Sequence, residues 1–274
     1  MRTEMHEWPL VLFSALAIAG AGTLAAQPLL VTLGATDPGG ARSQAAWATA
    51  LFAVGLSVSL NHVGQSRRLL LAPRRFGASP LSTEVVLAGA AIAGGAVLAW
   101  WPAAPRWDAG LIWLAGLTAA AFLLSLGFVY RLRGQPAWPG VAVVGPALTG
   151  LAFGFVACAA TAPAAAAVAL YPTLILLAAD AVVFSGRWAA IARIPPWLNP
   201  SHPETFRYRN MLLVDRLILV TLAPAILLAI GVVSLADLSI GVGLLVDRLA
   251  FYGLAAQHTT EAEIALAEEV IESL

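Results

Sequence analysis

Two titratable side chains stand out by position. His62, in SLNHVGQSRR, is the last strongly polar group before one apolar run ends, and Glu84, in SPLSTEVV, lies just inside the next. Between them come Arg67, Arg68, Arg74 and Arg75. Imidazole titrates near neutrality and can accept a proton or hydrogen-bond a carbonyl. Ser79 followed by Pro80 reads as a helix N-cap with proline at the first helical position. At about 1.5 Å per residue, that sets Glu84 roughly 7 Å along the helix. A carboxyl there is too deep for an ordinary cap and too shallow for a bilayer centre. It can exchange protons, or it can serve as a partner of the N-terminal helix dipole. A lone histidine at such a rim could equally bond a loop carbonyl. An imidazole and a carboxyl on adjacent runs at the same rim favour a site that handles protons for a redox molecule dissolved in a membrane.

Other polar groups lie deeper. Asp180, in LILLAADAVVF, is either a proton-path residue or a structural acid bonded to a neighbouring helix. The hexapeptide LLVDRL occurs at 212–217 and again at 244–249. Asp and Arg are adjacent in each copy, so they point in different directions and are expected to take partners on other helices. For Arg216 a structural pairing with an acid such as Asp180 or Glu84 is the expectation. Arg248 and Tyr252 are four residues apart and share a helix face. Trp8, in HEWPL, suits a membrane interface, where indole anchors. His6, His202 and His258 fall outside or at the rim of the apolar runs, which disfavours a bis-histidine haem. Cys158 is the single cysteine. It leaves no disulfide, and no iron–sulfur cluster within this chain, since a cluster normally takes four thiolates. No metal site is expected.

The elements that must position these groups are hydrophobic throughout. Of 274 residues, 60% are hydrophobic and 11% charged, with mean hydropathy +0.84. A soluble domain carries about a quarter charged residues, so the expected class is an all-α integral membrane protein. An apolar run of roughly 20 residues spans a bilayer as a helix. Eight such runs are predicted, at 9–33, 44–63, 81–101, 109–130, 141–160, 164–187, 212–234 and 237–257, with a tight turn at 235–236. Together they make one eight-span bundle over 1–257. The leader MRTEMHE lacks the basic region of a signal peptide, so the first run is read as a retained span. The 24 glycines and abundant alanine favour close helix approach.

All fifteen basic residues are arginine, and net charge is zero. Eight spans put both termini on one side. Eleven arginines lie there: Arg2, those of the 64–80 and 131–140 loops, and those of the 188–211 loop with its border, including Arg187. Only Arg42 and Arg106 lie opposite. The positive-inside rule then places both termini and the arginine-rich loops in the cytoplasm. The tail at 258–274 carries five glutamates, with Ile264, Ala267, Ile271 and Leu274 at helical spacing. It reads as a short acidic amphipathic helix suited to a partner protein rather than to anionic lipid, with a frayed, solvated tail as the equal alternative. Nothing points to nucleic acid.

HEWPL at the first span, the His-x-Gly of NHVGQSRR, FGASPLSTEV and the closing DRLAFYGL together resemble the membrane anchor of bacterial dimethyl sulfoxide reductase (the DmsC family). The eight-span plan fits the whole chain, and the motif matches concentrate in the first three spans and the last. Leu244 and Asp247 depart from the glutamate and glycine expected there, and spans five and six show no clear match. The resemblance implies an inner-membrane anchor of a molybdopterin catalytic subunit and an iron–sulfur subunit. It implies electron exchange with ubiquinone or menaquinone at a site containing His62 and Glu84. Ser79, Arg248, Tyr252 and Trp8 are candidate pocket or supporting residues, and Arg67, Arg68, Arg74 and Arg75 a candidate docking face. Related sulfite dehydrogenase membrane subunits would run the electrons the other way, so the partner's substrate stays open between an S- or N-oxide and sulfite. A passive anchor without quinone chemistry and a small-solute transporter are the alternative classes. For a transporter, Pro172 to Asp180 is the nearest thing to an interrupted helix.

Overall fold

The computed structural model describes residues 8–60, 66–101, 105–129, 140–193 and 207–254. Among them the structure is all helical, without a strand. Eight α-helices follow one another: α1 (Trp8–Thr32), α2 (Pro38–Leu60), α3 (Pro80–Trp100), α4 (Pro105–Val129), α5 (Gly145–Thr161), α6 (Pro163–Ala192), α7 (Arg209–Ala229) and α8 (Val233–Gly253). Short 3₁₀ segments at Ser66–Arg75 and Gly140–Val144 precede α3 and α5. Five helices are long and apolar enough to cross a membrane: α1, α3, α4 from Asp108, α6 and α7. That pattern is the one expected of a multi-pass membrane protein. Of the other three, α5 is shorter at 17 residues, α8 carries Asp237, Asp247 and Arg248, and α2 carries Arg42, Gln44 and Thr49.

The bundle is built around α1. It packs on α2, α4, α5 and α8, and 67% of its most apolar stretch is buried, against 28% for α3, α6 and α7. Small residues make this possible. A Cβ added at Gly22 would stand 1.9 Å from the Gly150 carbonyl oxygen, and one at Gly154 would stand 2.1 Å from the Gly22 carbonyl oxygen. The two backbones therefore touch, through the G-x-x-x-G spacing of Gly150 and Gly154 on α5 and Gly22 on α1. Gly20 meets the Ala48 carbonyl of α2 in the same way.

Polar ties close the end where α2 begins. Asp37 caps α2 by accepting from the Gly40 amide at 2.9 Å, and the Gly40 and Gly39 amides hold its carboxyl below the ordinary carboxylate value. Arg42 pairs with Asp108 at 2.5 Å and donates to the Trp101 carbonyl at 2.6 Å, linking α2 to α4 and to the end of α3. Gln44 donates to the Cys158 carbonyl at 3.2 Å and to the Thr161 hydroxyl at 2.9 Å on α5.

Several boundaries differ from the sequence expectation. The turn expected at 235–236 falls earlier, because Gly231 takes a left-handed φ of 78° and ends α7; Leu235 and Ala236 lie within α8. α6 runs on to Ala192 instead of stopping at 187, and α5 starts at Gly145 instead of 141. α7 is interrupted. Residues Ile218–Leu222 form a π-turn, with the Ala223 amide donating to the Ile218 carbonyl. Pro224 has no N–H to offer the Leu219 carbonyl five residues before it. Ser239 of α8 supplies the missing donor, its hydroxyl 2.8 Å from the Leu219 oxygen.

Candidate functional site

The rim predicted from sequence is described on one side only. His62 lies outside the described residues, as do the side chains of Arg67 and Arg68, and the acidic tail. Glu84 lies within the described residues. The chain leaves the 3₁₀ segment through Gly77 at φ 77° and enters α3 at the expected cap, with Ser79 accepting from the Ser82 amide at 3.5 Å and Pro80 opening the helix. Thr83 locks this turn: its hydroxyl donates to the Ser79 carbonyl at 3.0 Å and accepts from the Gly77 amide at 3.0 Å. Glu84 follows on the stripe that α3 turns inward, Glu84, Ala88, Ala91, Gly95 and Leu98. It is 6% exposed, and among the described residues it has no hydrogen bond or ion pair. Arg74 and Arg75 are exposed beside it in sequence, and Trp8 stands exposed at the start of α1.

The structure also assembles a charged cluster inside the bundle, from α5, α6, α7 and α8. Asp180 is fully buried and Arg216 nearly so, and they form a two-toothed ion pair, with Nη1 at 2.6 Å from Oδ2 and Nη2 at 2.8 Å from Oδ1. Thr149 of α5 donates to Asp180 Oδ1 at 2.9 Å. Asp247 receives three arginines: Arg187 Nη1 at 3.0 Å, Arg216 Nε at 3.1 Å, and Arg248 through Nε at 3.0 Å and through Nη2. Aromatic faces cover the guanidinium planes, Phe184 at 4.2 Å from Arg216 and Phe251 at 4.7 Å from Arg248 and 5.0 Å from Arg187. A cavity of about 20 Å³ opens among these side chains.

The expected Asp180–Arg216 pairing across helices is present. The expectation that Arg248 must look to another helix is corrected, because its guanidinium folds back onto Asp247 beside it. The two LLVDRL copies are used differently: Asp215 stays half-exposed while Asp247 is buried. Arg187, assigned from sequence to the loop border, is corrected too, since it is 4% exposed inside α6. Its signal was present in the buried stripe Leu177, Asp180, Phe184, Arg187, Ile191, which runs at helical spacing past the end of the apolar run. Tyr252 is buried beside Phe251, their rings edge to face at 5.2 Å. The structure does not bring Arg248 and Tyr252 to Glu84. α3 packs on α2, α4 and the 3₁₀ segment before it, whereas α8 packs on α1, α5 and α7. No group of three or more His, Cys, Asp or Glu side chains converges as for a metal among the described residues, and Cys158 is a buried free thiol. Comparison of the chain with known protein families and with curated proteins finds no match.

Proposed function

We propose that the chain is an eight-span inner-membrane subunit that anchors a redox complex and handles protons for a membrane quinone at the rim formed by His62 and Glu84. The observation that carries this is Glu84, a carboxyl buried at the start of an apolar helix with no partner among the described residues. A buried polar group without a partner is costly, so such a group is a candidate for a ligand contact. When bound, a quinol supplies two electrons and two protons. Glu84 would take one proton from a ring hydroxyl and His62 the other from the opposite hydroxyl, with both electrons passing to the docked iron–sulfur subunit. Phe76, half-exposed beside Gly77, and the Arg74–Arg75 pair flank this entrance on the face where an iron–sulfur subunit and a molybdopterin subunit would dock. Both termini and the arginine-rich loops would then face the cytoplasm. The test is quinone-coupled turnover of the intact complex carrying Glu84→Gln or His62→Ala. Turnover that stays at the wild-type level in both variants removes the site.

One observation favours a second reading, a small-solute transporter. The π-turn of α7 and the charged cluster beside it make an interrupted helix next to buried ions, a feature of transporter sites. The interruption lies in α7 rather than at Pro172 of α6, which runs unbroken. Affinity purification from its own membranes separates the two readings. Co-purifying iron–sulfur and molybdenum proteins support the anchor; a chain isolated alone that moves solute into vesicles supports the transporter.

A further inference from the structure

We infer that the charged cluster among α5, α6, α7 and α8 is a binding site for one small inorganic anion of halide type, held at Arg187. Three guanidinium groups, Arg187, Arg216 and Arg248, face two carboxylates, Asp180 and Asp247, so among the described residues the cluster carries one positive charge in excess. All five are buried. The excess can be placed. Arg216 holds Nη1 against Asp180 Oδ2 as an ion-pair contact without a hydrogen bond and donates Nη2 to Asp180 and Nε to Asp247, and Arg248 directs Nε and Nη2 to Asp247. Arg187 uses Nη1 alone, and its Nε and Nη2 have no hydrogen-bond partner among the described residues.

Asp247 cannot supply what is missing, since both of its oxygens already accept from arginines. Phe251 gives a π-face, but two guanidiniums share that one ring. Unmet donors, surplus charge and empty volume therefore coincide at Arg187, beside a cavity of about 20 Å³ that Arg216, Asp247 and Arg248 also line. A monatomic anion is the smallest charged group that could fill space of that order beside the unmet donors. A water could accept the free N–H groups but would leave the charge uncancelled. A halide does both. This inference is independent of the quinone reading, and so is its test.

The probe is bromide, offered to the purified protein in lipid nanodiscs together with any subunits that co-purify. The melting midpoint is followed as bromide replaces sulfate at constant ionic strength. Saturable stabilisation of about 3 °C is expected at ten times the dissociation constant for a chain of this size. Arg187→Gln removes the surplus charge, so that variant is expected to lose the bromide response while melting in sulfate no lower than the wild type. An Arg187 that serves only as an ion-pair partner of Asp247 would instead lower the midpoint equally in both salts. Equal wild-type midpoints in the two salts, or a bromide response that survives Arg187→Gln, overturns the inference. Should the variant fail to fold, anomalous diffraction from wild-type crystals grown in bromide decides: a peak within hydrogen-bond distance of Arg187 Nε supports the site, and a water only, with no anomalous signal, overturns it.

Discussion

Arg216 and Glu84 show two outcomes of burying a charge. Arg216 is surrounded by acceptors on three helices, and its removal leaves Asp180 without its cation in an apolar interior, while Asp247 keeps Arg187 and Arg248. Arg216→Ala is expected to destabilise the fold by about 3–5 kcal/mol, the cost of breaking a buried pair from one side. Chemical denaturation in detergent measures it. Arg216→Lys keeps the charge but loses the two-toothed contact, and should recover only part of that loss. Glu84 has nothing comparable to lose. Glu84→Gln keeps its shape and removes only its acid–base capacity, so stability should hold within about 0.5 kcal/mol. Under the quinone reading, turnover should fall by roughly 10²- to 10⁴-fold, the span typical of a lost proton-transfer group. A stability loss without a turnover loss would make Glu84 a packing residue.

The same two residues mark what sequence reading can and cannot reach. Asp180 and Arg216 are charges deep in apolar runs, so a buried pairing for Arg216 was legible, but the sequence left its partner open between Asp180 and Glu84. Arg187 and Asp247 were harder to see. Hydropathy tolerates one charge within a long apolar run but closes the span at a second, and Arg187 is the first charge after Asp180 in α6. The helix continues because Asp247 of α8 compensates that charge from another part of the chain, which no local window contains.

At the scale of elements, backbone contact between α1 and α5 sets the bundle. A Cβ at Gly22 or Gly154 would run into the facing backbone, and one at Gly150 would stand tight, at 3.1 Å, against Ile18 and Leu123. Gly154→Leu must push the two helices apart, and a loss of about 3 kcal/mol is expected, at the upper end for overpacking. Gly89→Ala is the control. Its Cβ meets nothing within 4 Å on the exposed face of α3, so helix propensity alone predicts a gain of up to about 1 kcal/mol. Thermal midpoints of the two variants in one detergent make the comparison, and equal midpoints would contradict the packing account. Abundant glycine and alanine announced close packing in the sequence, but which glycines meet depends on register, and register is tertiary. The turn after α7 was misplaced for a related reason. Polar Ser234 and Asp237 flank Leu235 and Ala236 and draw the turn there, whereas the left-handed Gly231 marks the reversal.

For the whole molecule, the arginine asymmetry gains and loses a little in the structure. Arg187 leaves the surface set, since it is spent on the interior cluster. At the other end Arg42 is neutralised by Asp108, so one of the two opposing arginines offers little free charge. Under the proposed topology the surviving bias would put exposed Arg74 and Arg75 in the cytoplasm. A labelling experiment can read this directly, because Cys158, the only cysteine, is fully buried and should stay silent. Arg75→Cys reports the arginine-rich end, and Leu33→Cys, an exposed position in the α1–α2 turn, reports the opposite one. With a membrane-impermeant maleimide, Leu33→Cys should label in intact cells and Arg75→Cys only after the membrane is opened. The reverse pattern would put the Glu84 rim on the outer face, where a cytoplasmic iron–sulfur partner could not reach it. Labelling of both in intact cells would mean that α2 does not cross the bilayer, and the eight-span topology itself would fail.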